Sequence, residues 1–369
     1  MENESFTLNF KSVPHGTETS KLIYFKTTQD LFDCFWHSFR RNFEEIVIVT
    51  DEKIAKLNDV KSFLEEARKK HAEIVTIPTG EKNKTFDNVF VMLNKALSKG
   101  FSRKCTFVAL GGGVISDMCA LASSLYKRGA QLQIIPTTLL SMSDAAIGGK
   151  TGCDYGDYKN MLGTFYPASI IYFCPEFLET LSKKEYYSGL AEVIKTAMLY
   201  DKELFALLKS EQKKIRDRDS HILYEAIKKC SIAKSKIVEQ DITEKDIRRQ
   251  LNLGHTFAHA LESVAGFGVI PHGCAVAWGL GRALELSLNL GYCNKEYRDE
   301  VFELLDMYGY CTKSIPDEIK NLEDTSTRLI EAMRQDKKNE PGKICFILQK
   351  GVEDTLIINV DEKQIEKVL

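Results

Sequence analysis

The stretch CTFVALGGGVISDMCALASSLYK, residues 105–127, contains the pattern that decides the fold. It opens with an apolar run typical of a buried strand, and a helical pattern follows as far as Lys127. Gly111, Gly112 and Gly113 stand between the two. Glycines before the start of a helix let the backbone approach a phosphate. A tight turn without a ligand has the same pattern, however, and the full GxGxxG fingerprint is absent.

Strand and helix patterns alternate on both sides of this stretch. Residues 44–51, 73–80 and 131–138 read as strands, and a helical pattern before residue 105 ends at Gly100, a plausible C′ residue. This order predicts a parallel sheet covered by helices. Polar loops follow three of the strands, in PTGEKNKT, GGG and PTT. Because ligands bind at the carboxyl ends of parallel strands, the sequence favours a dinucleotide crevice.

The second half of the chain is mainly helical. From about residue 175 the apolar spacing is that of amphipathic helices, and near the end KICFILQK and DTLIINV are compatible with a small hairpin. The predicted fold class is therefore α/β plus all-α. We place the division between an α/β domain, residues 1–176, and a mainly α-helical domain, residues 177–369.

The composition excludes several classes of function. The chain has 369 residues and a net charge of −2, so it presents no broad basic field for nucleic acid or anionic membranes. The first residues, MENESFTLNF, do not resemble a signal peptide, and no apolar run reaches the length of about 18 residues typical of a membrane span. The ten cysteines are scattered without a CxxC pair, which predicts free thiols and a cytoplasmic location.

Residues 141–167 form a long segment that is rich in Gly, Asp and Tyr and has weak periodicity, which is typical of functional loops. Lys150, Lys159 and Asn160 lie on this backbone and suit a compact anion such as a phosphate ester. Asp144 stands where GxxxxGK[ST] requires its first glycine, so the segment is not a nucleotide triphosphate P-loop.

The helical half contains candidate metal ligands. They are Glu192 with Lys195 at i and i+3, His255 with His259 at i and i+4, and His272 before a further helix. Two histidines and one glutamate are an accepted ligand set for catalytic zinc, although helical histidines are equally often only packed and hydrogen-bonded. The spacing alone leaves open whether His255 and His259 bind one metal together or have separate roles. A threonine after His255 excludes the HExxH motif of metalloproteases.

Eight motifs occur in an order that resembles the 3-dehydroquinate synthase family, a branch of the sugar phosphate cyclases. They are PTGEKNKT, GGGVISD, RGAQLQIIPTTLLSMSDAAIGGKTG, KNMLGTFYP, SGLAEVIK, RRQLNLGHTFAHALE, PHGCAVAWG and DKK. The resemblance spans about residues 45–350. It implies that residues 1–176 form a Rossmann-like domain that binds NAD, and that residues 177–369 form a helical domain that binds substrate and Zn2+ or Co2+. It also implies a homodimer.

The resemblance also implies roles for individual residues. The metal ligands are Glu192, His255 and His272, and the residues implied in catalysis are Asp144, Lys150, Lys195, Asn252 and His259. The substrate contacts are Arg128, Asn160, Lys234, Arg248 and Lys338, with Lys234 and Arg248 on a carboxylate and Arg128 reaching the phosphate from the partner subunit. Lys150, Asn160, His259 and Lys338 surround the phosphate. The NAD contacts are Asp51, Glu81, Lys84, Gly112, Gly113, Asp117, Thr137, Thr138, Lys159 and Thr180.

The activity that the resemblance implies is the conversion of 3-deoxy-D-arabino-heptulosonate 7-phosphate to 3-dehydroquinate and phosphate. It proceeds by transient oxidation with NAD, phosphate elimination, reduction and an internal aldol closure, as one step of the shikimate pathway. Ser116, Asp246 and Cys274 depart from the usual motifs, which have glycine, glycine and glutamate there. The alternatives are another sugar phosphate cyclase, an NAD- and metal-dependent polyol dehydrogenase, and a non-catalytic binding protein. The carboxylate contacts argue against a simple polyol as substrate.

Overall fold

The computed structural model describes residues 4–10, 13, 16–39, 45–156, 158–266, 268–334 and 343–369. These residues form two compact units. The first comprises Met1–Leu181 with Leu223–Lys245, and the second comprises Ser182–Ile222 with Asp246–Leu369. The sequence-based division at 176 and 177 assigned residues 223–245 to the second domain, whereas they pack with the first unit. Side-chain contacts explain this return of the chain, because Tyr24 Oη and Ser231 Oγ share a buried hydrogen bond of 2.7 Å.

The first unit is built on a seven-stranded sheet. Its strands and those of a small ribbon are, in chain order, β1 (Glu4–Asn9), β2 (Thr19–Tyr24), β3 (Ile46–Asp51), β4 (Glu73–Ile77), β5 (Thr106–Gly111), β6 (Gln131–Pro136), β7 (Cys153–Tyr155), β8 (Tyr158–Leu162) and β9 (Ile170–Phe173). The sheet order is β1-β2-β9-β6-β5-β3-β4, and only β1 is antiparallel to its neighbour. Every residue of β3 and β5 is buried, as expected for apolar strands covered on both faces.

Four helices follow strands or loops of this unit: α1 (Thr28–Ser38), α2 (Asn58–Lys69), α3 (Phe86–Ser98) and α4 (Gly113–Leu125). The helix α3 begins at an N-cap, since the Thr85 side chain accepts from the Asn88 amide, and ends before Gly100, whose φ is +70°. The predicted C′ glycine is thus confirmed. The segment 141–167, whose sequence has weak periodicity, contains a short π-helical turn, Ser141–Ala145, and the antiparallel ribbon β7–β8.

The second unit is mainly helical, as predicted. It contains α5 (Lys183–Tyr200), α6 (Lys202–Ser210), α7 (Gln212–Arg216), the start of α8 (Ser220–Gln240), α9 (His255–Ala265), α10 (His272–Asn289), α11 (Lys295–Met307), α12 (Thr325–Arg334) and α13 (Glu362–Glu366). The predicted hairpin is confirmed as β10 (Lys343–Gly351) and β11 (Asp354–Asp361). No helix among the described residues combines the length and the apolar character that a membrane crossing requires. All ten cysteines are free thiols, as predicted.

Candidate active site

A potential metal site lies in the helical unit. Glu192 comes from the middle of α5, whereas His255 and His272 are the first residues of α9 and α10. One ligand atom from each of the three lies within 4.8 Å of the others. The Nε2 atoms of His255 and His272 are each 3.6 Å from Glu192 Oε1. A buried carboxylate between two imidazole nitrogens suits a divalent metal such as zinc.

Glycines allow the three helices to approach closely enough to form this cluster. A Cβ on Gly273, the residue after His272, would collide with the backbone oxygen of Ser188 on α5. The Gly273 amide also donates to Ser188 Oγ at 3.0 Å. On the other side, a Cβ on Gly279 of α10 would collide with the oxygen of Gly254, the N-cap of α9. The positions of both histidines therefore depend on backbone-to-backbone packing.

The second nitrogen of each imidazole is also engaged. His255 Nδ1 lies 3.1 Å from Leu253 O, and His272 Nδ1 lies 3.3 Å from Glu262 Oε2. When Nδ1–H donates a hydrogen bond to these acceptors, the Nε2 lone pair faces the cluster. This arrangement of an outer acceptor behind a ligand imidazole is typical of metal sites. Lys195, also on α5, forms a buried ion pair with Glu192.

The charges of the cluster follow from burial and from these contacts. Burial lowers the pKa of His255, and the nearby Lys195 lowers it further, so this ring is neutral at pH 7. Burial opposes ionisation of Glu192, yet Lys195 and the two histidines hold the pKa of its carboxyl well below its ordinary value. Burial disfavours charge on His272, but its contacts with the carboxylates of Glu192 and Glu262 raise its pKa to about 10. A metal binding at His272 therefore displaces a proton.

Other predicted residues of the helical unit lie near this cluster in sequence or in space. The ring of exposed His259 is centred 5.4 Å from His255 and 6.3 Å from His272. Among the described residues it does not belong to the group of potential ligands. Asn252 and the buried Arg248 lie in the short helical turn Ile247–Asn252 just before α9. The geometry favours separate roles for His255 and His259.

The first unit presents its candidate residues at strand ends. The helix α4 begins at Gly113, with Gly112 as an N-cap that has no side-chain acceptor. Its first amides are therefore available to a ligand, as in phosphate-binding helix starts. A Cβ on Gly112 would lie 2.9 Å from Thr138 Cγ2, so close packing on the next strand end also requires this glycine. The neighbouring Thr137 Oγ1 is buried without a hydrogen-bond partner in the described part of the chain.

Lys84 connects two other predicted residues, Asp117 and Asn160. Its Nζ donates to Asp117 Oδ2 at 2.7 Å and to Asn160 Oδ1 at 2.5 Å. Asp154 adds a further link, because its Oδ1 accepts from the Asn160 amide and its own amide donates to Lys84 O, both at 2.7 Å. Lys84 and Asp117 were predicted to contact NAD, and Asn160 to contact the substrate phosphate. Asp154 was not predicted.

Two carboxylates of this region are shielded from solvent, Asp51 being buried and Asp117 half-buried. Burial raises the pKa of Asp117 to about 6, although the ion pair with Lys84 opposes the change. Asp51, at the end of β3, uses Oδ1 to accept from the amides of Lys53 and Ile54 and from Thr79 Oγ1. Asp51 therefore orders the turn that follows its strand.

Two further predicted lysines are paired with carboxylates of the first unit. The buried Lys234 bonds to both the backbone oxygen and the side chain of Asp144, which lies in the π-helical turn. Lys150 forms an ion pair with Glu244, a residue that the sequence reasoning did not identify. Each pair joins the segment 141–167 to the segment Leu223–Lys245.

The remaining predicted residues of the first unit are exposed. Glu81 lies in the turn after β4, Lys159 on β8, and Thr180 at the end of the turn Pro175–Thr180, where its hydroxyl donates to Phe177 O. Arg128 lies in a turn with a φ of +66°. Lys338 is outside the described residues.

The three departures from the family motifs fit their surroundings. Ser116 is buried in the first turn of α4, where its hydroxyl donates to Gly113 O at 3.0 Å. Cys274 is a half-buried thiol whose pKa is raised by burial. Asp246 precedes the turn that contains Arg248, at φ −134° and ψ −114°. None of the three replaces a member of the Glu192–His255–His272 cluster.

The fold and the two groups of residues define a class of protein. One unit has a parallel sheet with a glycine-lined helix start at a strand end, and the other has a ligand set typical of catalytic zinc. This combination indicates an enzyme that uses a dinucleotide and a divalent metal.

The comparisons with known proteins identify the family. The model for the N-terminal part of 3-dehydroquinate synthase matches residues 74–188, and that for its C-terminal part matches residues 189–339. A 3-dehydroquinate synthase from Methylococcus capsulatus is 37% identical over 318 residues, which are 86% of this chain and 87% of the relative. The chain belongs to the 3-dehydroquinate synthase family.

Two solved structures share the fold. A 2-epi-5-epi-valiolone synthase from Streptomyces hygroscopicus subsp. jinggangensis, with NAD+ and Zn2+ bound, is 24% identical, with a TM-score of 0.81 over 98% of each chain. A 2-deoxy-scyllo-inosose synthase in complex with carbaglucose-6-phosphate, NAD+ and Co2+ is 20% identical, with a TM-score of 0.79 over 99% of each chain. These similarities confirm the predicted fold class.

Proposed function

We propose that this protein is a 3-dehydroquinate synthase of the shikimate pathway. It converts 3-deoxy-D-arabino-heptulosonate 7-phosphate to 3-dehydroquinate and phosphate, and so serves the biosynthesis of aromatic amino acids. The observation that carries the proposal is the Glu192–His255–His272 cluster in a chain that belongs to this family. Buried Lys234 and Arg248 add the cations that a substrate carboxylate needs.

Two bound groups are part of the proposal. Glu192, His255 and His272 would hold Zn2+ or Co2+, and the start of α4 with its neighbouring strand ends would hold NAD. When bound, the metal polarises a substrate oxygen as a Lewis acid, and NAD accepts one hydride and later returns it. The donor set fits the metal, and the uncapped amides of α4 fit a pyrophosphate.

The chain's own residues bind and orient the substrate. The phosphate is bound by Lys150, Asn160 and His259, and also by Lys338, which lies outside the described residues. Lys150 is paired with Glu244 in the structure, so the substrate phosphate takes the place of that carboxylate. Lys234 and Arg248 bind the carboxylate, and holding both ends of one substrate fixes the ring for each step.

Proton transfer requires no separate protein base in this proposal. After oxidation of the ring hydroxyl, the carbon next to the ketone becomes acidic, and the leaving phosphate takes its proton. Asp144, Lys195 and Asn252 orient the ring hydroxyls. The returned hydride leaves no net oxidation, so the reaction is that of a lyase.

The test is to incubate the purified protein with NAD+, Zn2+ and the seven-carbon phosphorylated keto acid. We expect release of phosphate and formation of 3-dehydroquinate without net accumulation of NADH. Phosphate release only from other sugar phosphates would indicate another cyclase. A steady increase of NADH with glycerol or a similar polyol would indicate a dehydrogenase. Either outcome would contradict the proposal.

The proposal extends to a cytoplasmic homodimer. Arg128 is exposed in a turn whose backbone oxygens, those of Arg128 and Gly129, accept from the Arg103 guanidinium at 3.4 and 3.2 Å. A fixed, exposed arginine suits a role at the phosphate site of a partner subunit. Light scattering should give twice the mass of the chain, and Arg128→Ala should raise the KM for the phosphorylated substrate. A monomer with full activity would contradict this part.

A further inference from the structure

Glu262 lies directly behind one member of the metal cluster. It is seven residues after His255 on α9, so the two side chains share one face of that helix, with His259 between them. Its side chain is about nine-tenths buried. The Oε2 atom is 3.3 Å from His272 Nδ1, the nitrogen that points away from Glu192.

His272 needs such a partner more than His255 does. The side chain of His272 is 34% exposed, compared with 12% for His255 and 1% for Glu192. Packing alone therefore restricts the ring of His272 least. His255 is oriented by the backbone oxygen of Leu253, whereas the outer contact of His272 is a carboxylate.

We infer that Glu262 is a positioning residue that orients His272 for the metal and strengthens metal binding. By accepting a hydrogen bond from Nδ1–H, Glu262 keeps the Nε2 lone pair directed at the cluster. Its negative charge also makes the imidazole a stronger donor to a dication. The inference rests on the metal site of the proposed function, and it assigns a role to a residue that touches neither substrate nor cofactor.

The test uses metal affinity rather than turnover. Metal-free wild type, Glu262→Gln and Glu262→Ala are titrated with Zn2+ in competition with a chromophoric chelator. We expect the Kd for Zn2+ to rise about 10- to 100-fold, more for Ala than for Gln, because loss of such an outer partner typically has this effect. The visible spectrum of bound Co2+ should also shift, since the ring can now rotate.

Glu285→Gln is the matched control. Glu285 lies on α10, the helix of His272, and its carboxylate is 3.3 Å from a cation, Arg298 Nη1. It lies 13 residues after His272, about 20 Å along the helix. Its Kd for Zn2+ should stay within twofold of wild type. If Glu262→Ala does not fold, the Kd of Glu262→Gln tests the inference, because glutamine keeps the volume of the side chain.

Three outcomes are distinguishable. Weaker Zn2+ binding in Glu262→Gln with an unchanged melting temperature of the metal-free protein supports the inference. An unchanged Kd in Glu262→Gln, or equal weakening in Glu285→Gln, overturns it while the proposed function stands. Failure of the wild type to bind Zn2+ contradicts the metal site of the proposed function itself.

Discussion

The two units build their candidate residues in different ways. In the helical unit, Glu192, His255 and His272 are distant in sequence and meet because α5, α9 and α10 pack backbone against backbone. In the α/β unit, the candidates lie on loops after strands, and Lys84 links several of them by hydrogen bonds.

The two groups of residues differ in how far their side chains can move. A metal cluster tolerates only small displacements of its ligands, which suits ligands held by close helix packing. Loops at strand ends can adjust around a nucleotide or an anion, and the exposed Lys159 and Glu81 are of this kind. We therefore expect substitutions in the helical unit to have the larger effects.

The largest effect is expected for Glu192→Gln. The substitution removes the buried negative charge between the two histidines and leaves Lys195 without its ion pair. Activity should fall about 1,000-fold or more, since a metal contributes several kcal/mol to such reactions. Glu185→Gln on the same helix is the control, because glutamine at this position keeps the capping contact with Ser182. Steady-state assays of phosphate release compare the two, and equal losses would contradict this role of Glu192.

Gly273→Ala tests whether close helix packing holds the metal site. Its new methyl group collides with Ser188 O, so the free energy of unfolding should fall by about 1–3 kcal/mol, and Zn2+ binding should weaken. The control is Gly281→Ala on the same helix, whose methyl group would meet Phe302 at 3.6 Å, an ordinary contact. That variant should be neutral or gain about 0.5–1 kcal/mol, as alanine does in helices. Urea unfolding of the metal-free proteins measures both, and equal stability of the two variants would exclude the packing argument.

Lys84→Met tests the loop network of the other unit. The substitution leaves Asp117 and Asn160 without their common donor, so affinity for NAD should fall about tenfold or more. Zn2+ affinity should be unchanged, because the metal ligands lie in the other unit. Lys82→Met, at an exposed position of the same turn, is the control and should retain wild-type NAD affinity. Calorimetric titrations with NAD+ and with Zn2+ measure the two affinities. A parallel loss of Zn2+ affinity would contradict the independence of the two sites.

The smallest effect concerns pH. Burial raises the pKa of Asp117 from 3.8 to about 6, so the native state binds this proton more tightly than the unfolded chain does. The contribution of Asp117 to stability is therefore highest below pH 3.8 and decreases as the pH rises to about 6. Asp117→Asn should lack this decrease. Urea unfolding between pH 4 and 7 measures how the free energy of unfolding changes with pH. The same pH dependence in wild type and Asp117→Asn would contradict the raised pKa of Asp117.

Much of the fold could be predicted from local pattern. The strands β3, β4, β5 and β6 are mainly apolar runs that end at or just before a glycine, a proline or a polar residue. A strand of this kind is recognisable without its neighbours. The strands β1 and β2 alternate weakly and were not predicted, because pairing across a loop stabilises them. The return of residues 223–245 to the first unit depends on contacts such as Tyr24 with Ser231, which no local pattern reveals.

The candidate site shows the same limit. Only the family resemblance selected Glu192, His255 and His272 from the candidate metal ligands, because the spacing alone left open whether His255 and His259 bind one metal together. Glu262 stands in phase with His255 and His259 on α9, and this spacing was a usable signal. Asp154 and Glu244 carried no such signal, because their roles depend on contacts with Asn160 and Lys150 made in the folded chain.

Metal content is the most direct test of the central claim, that Glu192, His255 and His272 bind the metal while His259 serves another purpose. Wild type, His255→Ala and His259→Ala are loaded with Zn2+, dialysed and analysed by mass spectrometry of the metal. The account predicts about one metal per chain for wild type and His259→Ala and none for His255→Ala, with phosphate release impaired in both variants. Equal loss of metal from the two variants would contradict it.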